Sequence, residues 1–108
     1  MLNKIIEIAE KLEWTVNVTN DYIEFRQYSP AGEDFSFIVN TATPKEIVEQ
    51  VVEYVDDFDI DEHIEMWIDA RKNGVSGVPS TRELVEDAEE ISKMLDTLAE
   101  RLLIELRR

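Results

Sequence analysis

The chain has 108 residues, 44% of them hydrophobic, and carries 25 Asp and Glu against 11 Lys and Arg, a formal net charge of −14. That apolar fraction excludes a disordered chain and suits one domain of ordinary size, and the lack of cysteine excludes disulfides, thiol nucleophiles and zinc–thiolate sites. The charge opposes direct contact with nucleic acid phosphates and acidic membranes and favours basic protein surfaces.

Leu2, Ile5, Ile6, Ala9 and Leu12 fall at helical spacing with Lys4, Glu7, Glu10 and Lys11 opposite, which predicts a helix over residues 2–12. The period then drops to two: Trp14, Val16 and Val18 alternate with Thr15, Asn17 and Thr19 in a strand. Asn20-Asp21 supplies a tight turn, since both residues tolerate left-handed backbone angles. A second strand carries Ile23 and Phe25 on one face and Tyr22, Glu24, Arg26 and Tyr28 on the other. Ser29-Pro30-Ala31-Gly32-Glu33 forms the next turn, and Phe35, Phe37 and Val39 alternate with Ser36, Ile38 and Asn40 in a third strand. Two short connections in succession predict an antiparallel meander.

Thr43-Pro44-Lys45-Glu46 opens a helix, with Thr43 as cap, Pro44 at the first helical position and Glu46 completing a capping box. Ile47, Val48, Val51, Val52 and Val55 form its apolar stripe, and it ends near Asp57. Asp59-Ile60-Asp61-Glu62 repeats the capping pattern for a third helix whose stripe is Ile60, Ile64, Trp67 and Ile68 and whose stop is Asn73-Gly74. Residues 75–79 read as a linker. Ser80-Thr81-Arg82-Glu83 caps a last helix that no Gly or Pro interrupts before Leu106, roughly 39 Å long. Leu84, Ala88, Ile91, Leu95, Leu98 and Leu102 alternate spacings of four and three along it, and Val85, Met94, Leu103 and Leu106 widen the stripe. Arg107 and Arg108 suit the negative end of its dipole.

The expectation is therefore one α+β domain over residues 1–108, in the order αβββααα. The last helix exceeds the width of three strands, so part of it needs another surface: a partner chain or solvent. The outer sheet face, with Tyr22, Arg26, Tyr28 and Ile38, has two readings. It is a protein-binding patch, Tyr and Arg being enriched at interfaces, or it is covered by later helices, because four helices do not easily share one face of three strands. The opening Met1-Leu2-Asn3-Lys4 lacks the apolar run of a signal peptide, and no stretch reaches the ~20 apolar residues of a membrane span. A cytoplasmic protein is expected.

The acids concentrate in the middle third: residues 43–79 hold 10 acidic and 3 basic side chains. Asp57-x-Asp59-x-Asp61 resembles the start of a calcium loop, but the sixth position is Glu62 instead of Gly and the twelfth is Ile68 instead of Glu, so no metal site is assigned. The acids read equally as helix caps and a solvated face. His63, the only histidine, is a candidate general base; with no second histidine, no cysteine and no glycine-rich loop, a hydrogen-bonded structural role is the stronger reading. Gly74-Val75-Ser76-Gly77 fails as a nucleophile elbow because position 78 is Val and no strand precedes it. The opening helix, three strands and helix match the element order of double-stranded RNA-binding domains, which use Lys and Arg on phosphates, whereas the corresponding region here is net acidic.

At Tyr28-Ser29-Pro30-Ala31-Gly32-Glu33-Asp34-Phe35-Ser36-Phe37, Asp61-Glu62-His63-Ile64-Glu65-Met66-Trp67-Ile68 and Gly77-Val78-Pro79-Ser80, the chain resembles a family of small acidic uncharacterised bacterial proteins, often carried on mobile elements. The resemblance implies no activity. By element order and charge alone, the chain is also similar to small anti-CRISPR and antirestriction proteins, which present carboxylates in place of DNA phosphates.

The expected function is a non-enzymatic acidic protein-binding module, with neither cofactor nor metal. In it Asp56, Asp57, Asp59, Asp61, Glu62 and Glu65 engage a basic protein surface, and its concrete form is a nucleic-acid mimic inhibiting a nucleic-acid-binding enzyme. The alternative expectation is a homodimer joined through residues 80–106, with Leu95, Leu98 and Leu102 in the seam. A third is a metal-dependent enzyme around His63.

Overall fold

The computed structural model, in which residues 2–74 and 80–106 are described, shows seven elements in the expected order. They are α1 (Leu2–Lys11), β1 (Thr15–Val18), β2 (Tyr22–Tyr28), β3 (Asp34–Asn40), α2 (Pro44–Asp57), α3 (Ile60–Lys72) and α4 (Thr81–Leu106). The fold class is α+β. The strands pair antiparallel in the order β1-β2-β3, with Phe25 of the central strand opposite Val16 on one side and Phe37 on the other. The expected linker at 75–79, the elbow-like residues within it and the pair Arg107–Arg108 lie outside the described residues.

The helix starts follow the capping chemistry. Thr43 Oγ1 accepts the Glu46 N–H at 3.3 Å, Asp59 Oδ1 accepts those of Asp61 (2.8 Å) and Glu62 (3.2 Å), and Ser80 Oγ accepts that of Glu83 (3.3 Å). Gly74 closes α3 at φ +86°, the left-handed geometry expected of it.

One turn is built differently from expectation, and another was not anticipated. The β1–β2 turn uses no left-handed angle at Asn20 or Asp21. Instead Thr19 Oγ1 accepts the N–H groups of Asp21 (3.3 Å) and Tyr22 (3.0 Å), so a hydroxyl does the work assigned to backbone geometry. The left-handed residue is Glu13, at φ 71°, just past α1. There Trp14 N–H reaches Ala9 O and Glu13 N–H reaches Glu10 O, both at 3.0 Å, the paired bonds of a Schellman cap. The apolar residue after it, Trp14, is buried and carries the chain into the sheet.

The inner sheet face (Ile23, Phe25, Phe35, Phe37 and Val39) forms one cluster with Ile5, Ile8 and Ala9 of α1, Ile47, Val48 and Val51 of α2, and Ile91, Leu95, Leu98 and Leu102 of α4. Each such aliphatic side chain, fully enclosed, contributes about 1.5–3 kcal/mol. The long helix thus finds its second surface within its own chain. Its residues Ile91 to Leu102 share the cluster with α1, α2 and the sheet, α3 also packs against it, and Leu84 and Ala88 in its first turns are buried. The molecule measures 45 × 26 × 22 Å, its long axis close to the length of α4.

This arrangement corrects one expectation and decides between the two readings of the outer sheet face. Leu95, Leu98 and Leu102 are 0% exposed, so they are core and cannot form a dimer seam. The outer sheet face is not covered, because the helices reach the sheet's inner side by packing on α4. Tyr28 (68%) and Ile38 (58%) stand in solvent beside Tyr22. Among the described residues, no helix is long and apolar enough to cross a membrane.

Candidate functional site

Helical spacing turns the acidic run into a surface. On α2, Glu46, Glu49, Glu53, Asp56 and Asp57 recur at steps of three and four and are all exposed. Such steps hold carboxylates on one helix face, roughly 4.5–6 Å apart along the axis. Asp61, Glu62, Glu65 and Asp69 continue the exposed acids on α3. Of the six expected partner-binding residues, Asp56, Asp57, Asp61, Glu62 and Glu65 therefore stand free in solvent. Asp59 is also exposed, but its carboxylate already caps α3. Glu46, Glu49 and Glu53 were not singled out from the sequence, although their spacing was legible there.

Among the described residues, the ion pairs lie elsewhere: Lys11–Glu7 in α1, Arg26 with Glu24 and Asp34 on the sheet, His63–Glu33, and Arg82–Glu86, Lys93–Glu90 and Arg101–Glu105 along α4. Lys45 is the only base in α2, and the bases of α3, Arg71 and Lys72, fall in its last turn. Among the described residues, the exposed acids of α2 and α3 therefore repel one another with no ion pair to offset them.

Two concavities flank this row, and Asp57 borders both. One, of about 350 Å³, lies between α2 and α4 with Val48, Val52 and Leu103 under a rim of Glu49, Glu53, Asp56 and Asp57. The other, of about 370 Å³, lies at the α2–α3 junction and combines Tyr54, Phe58 and Met66 with Asp57, Asp59, Glu62 and His63. Tyr54 stacks on Phe37 at 4.4 Å, and burial pushes its phenol above the ordinary tyrosine range.

His63 is held from inside. Its Nε2 lies 3.0 Å from Glu33 Oε2, and the indole Nε1–H of Trp67 donates to Glu33 Oε1 at 3.1 Å. The ring packs near Phe58 and Phe35, with centroids 5.5 and 6.0 Å away. Glu33 is itself positioned by the β2–β3 turn: its N–H donates to Ser29 Oγ (3.0 Å), while Ser29 Oγ–H and Ala31 N–H donate to Asp87 of α4 (2.7 and 2.9 Å). The β2–β3 turn and α3 thus meet at one carboxylate. This arrangement fixes the imidazole and docks α3; it presents no assembled set of metal ligands among the described residues.

Sequence reasoning missed Glu33, Trp67, Ser29 and Asp87 as a network. Only Asp87 left a signal, as an acid inside the apolar stripe of Leu84, Ala88 and Ile91. On the outer sheet face, Arg26 is tied by Glu24 (3.4 Å) and Asp34 (3.5 Å), leaving Tyr22, Tyr28 and Ile38 as its free groups. No protein-family model, curated protein or solved structure matches the chain.

Proposed function

We propose that this chain is a non-enzymatic acidic module that binds a basic protein surface, standing in for nucleic acid on a cytoplasmic enzyme that binds nucleic acid. The observation that carries the reading is the exposed row of carboxylates on α2, continued on α3, which makes no ion pair among the described residues. Each exposed pair made with a partner would contribute only ~0–1 kcal/mol. Many acting together steer association and make it sensitive to salt. The apolar floors beside the row, Val48, Val52 and Leu103 on one side and Tyr54 and Phe58 on the other, offer burial to the stems of Lys and Arg side chains.

The test is affinity capture from lysate at low and high salt, using the native chain and a neutralised variant (Glu49→Gln, Glu53→Gln, Asp56→Asn, Asp61→Asn and Glu65→Gln). Asp59 is left intact because it caps α3. A basic partner held at low salt, lost at high salt, lost with the variant and displaced by duplex DNA supports the reading. Capture that ignores salt, or persists with the variant, overturns it.

A further inference from the structure

We propose that α3 is a detachable arm latched by the Glu33 carboxylate, opening as a unit while α1, the sheet, α2 and α4 remain folded. The core supplies the first reason. No described residue of α3 is fully buried, and none belongs to the main apolar cluster or to the half-buried residues packed on it. α3 packs on α4, whose first turns carry Leu84 and Ala88, buried yet outside that cluster.

Besides its packing on α4 and the contacts of the His63 ring with Phe35 and Phe58, α3 is held by a polar anchor. His63 and Trp67, four residues apart on one face, both bond the Glu33 carboxylate at 3.0 and 3.1 Å. The catch is rigid on its other side, because Asp87 of α4 and Ser29 hold the turn that carries Glu33. An element with no fully buried side chain and a concentrated polar anchor opens locally at lower free energy than the core. Opening would uncover the face of α4 on which α3 packs and carry Asp61, Glu62 and Glu65 away from the acids of α2. The inference is independent of whether those acids bind a partner.

Native-state hydrogen exchange on the full chain, resolved by peptide, tests it. In the native protein, amides of α3 should exchange faster than those of residues 91–102 of α4. Glu33→Ala should speed α3 about tenfold further, the loss of a charge-assisted bond, and leave residues 91–102 unchanged. Glu33→Gln, which keeps an acceptor for Trp67, should restore most of the protection. If Glu33→Ala does not fold, Trp67→Phe provides the same reading, with a smaller acceleration confined to α3. Exchange of α3 in step with α4 and the sheet overturns the proposal, as does a variant effect that is uniform or absent.

Discussion

Ser29 and Asp87 are the two buried polar residues of the described chain, and they are bonded to each other: the Ser29 hydroxyl donates to Asp87 Oδ2 at 2.7 Å across a separation of 58 residues. Asp87 also accepts the Ala31 N–H, so one carboxylate of α4 pins the β2–β3 turn. Removing it leaves the enclosed Ser29 hydroxyl and the partly buried Ala31 N–H unmatched. Asp87→Ala should lower unfolding free energy by about 3 kcal/mol, and Ser29→Ala by roughly half of that. Urea titration checks this; an unshifted midpoint for Asp87→Ala would show that water replaces the carboxylate.

Leu95 and Leu98 sit at 0% exposure inside the main cluster. Leu95→Ala and Leu98→Ala should each destabilise the fold by about 2–5 kcal/mol. The denaturation midpoint should not depend on protein concentration. A midpoint that climbs with concentration would restore the dimer seam that the packing argues against.

Glu13 combines two unfavourable features: a left-handed backbone, at φ 71°, and a negative charge at the negative end of α1. Glu13→Gly should raise stability by about 0.5–1 kcal/mol, the relief of strain outweighing the greater freedom of Gly in the unfolded chain. Thermal melts of Glu13→Gly and Glu13→Ala separate the causes. Equal gains from both would assign the effect to charge alone.

Tyr54 gives a pH dependence with a definite sign. Burial raises its folded-state pKa above the unfolded value, so the unfolded chain loses the phenolic proton first. The contribution is fully present below about pH 10 and is lost as pH rises through the raised folded value. Denaturant midpoints of the native chain should therefore fall between about pH 9 and about pH 11 more steeply than those of Tyr54→Phe, which keeps the ring stacked on Phe37. Parallel curves would refute the assignment.

The acids of α2 should carry an intrinsic stability cost. Like charges three and four residues apart destabilise a helix by about 0.2–0.5 kcal/mol per pair. Glu49→Gln with Glu53→Gln should raise the melting temperature at low salt, and added salt should shrink the gain. A variant that melts lower would mean these carboxylates have stabilising partners.

Parts of the candidate site were legible before any coordinates. The stepping of Glu46, Glu49, Glu53 and Asp56 is a property of a helix whose start is written in Thr43 and Pro44. Glu33 was not legible, because an exposed-looking turn acid carries no mark of a histidine 30 residues away. The uncovered sheet face was also hidden. Tyr22, Tyr28 and Ile38 suit a buried face as well as an open one, and only the placement of the helices separates the two.

The sequence by itself determined the seven elements, their order and most of their caps, because these follow from side-chain periods and from hydrogen bonds spanning two to four residues. It also determined the sign of the surface charge, which is a sum over composition. Tertiary structure alone decided that Leu95, Leu98 and Leu102 are core, that α3 stands apart from that core, and that Glu33 and Asp87 bind across the chain. Those outcomes depend on which of several apolar stripes meet in space. A stripe's spacing states that it must be covered and is silent on what covers it.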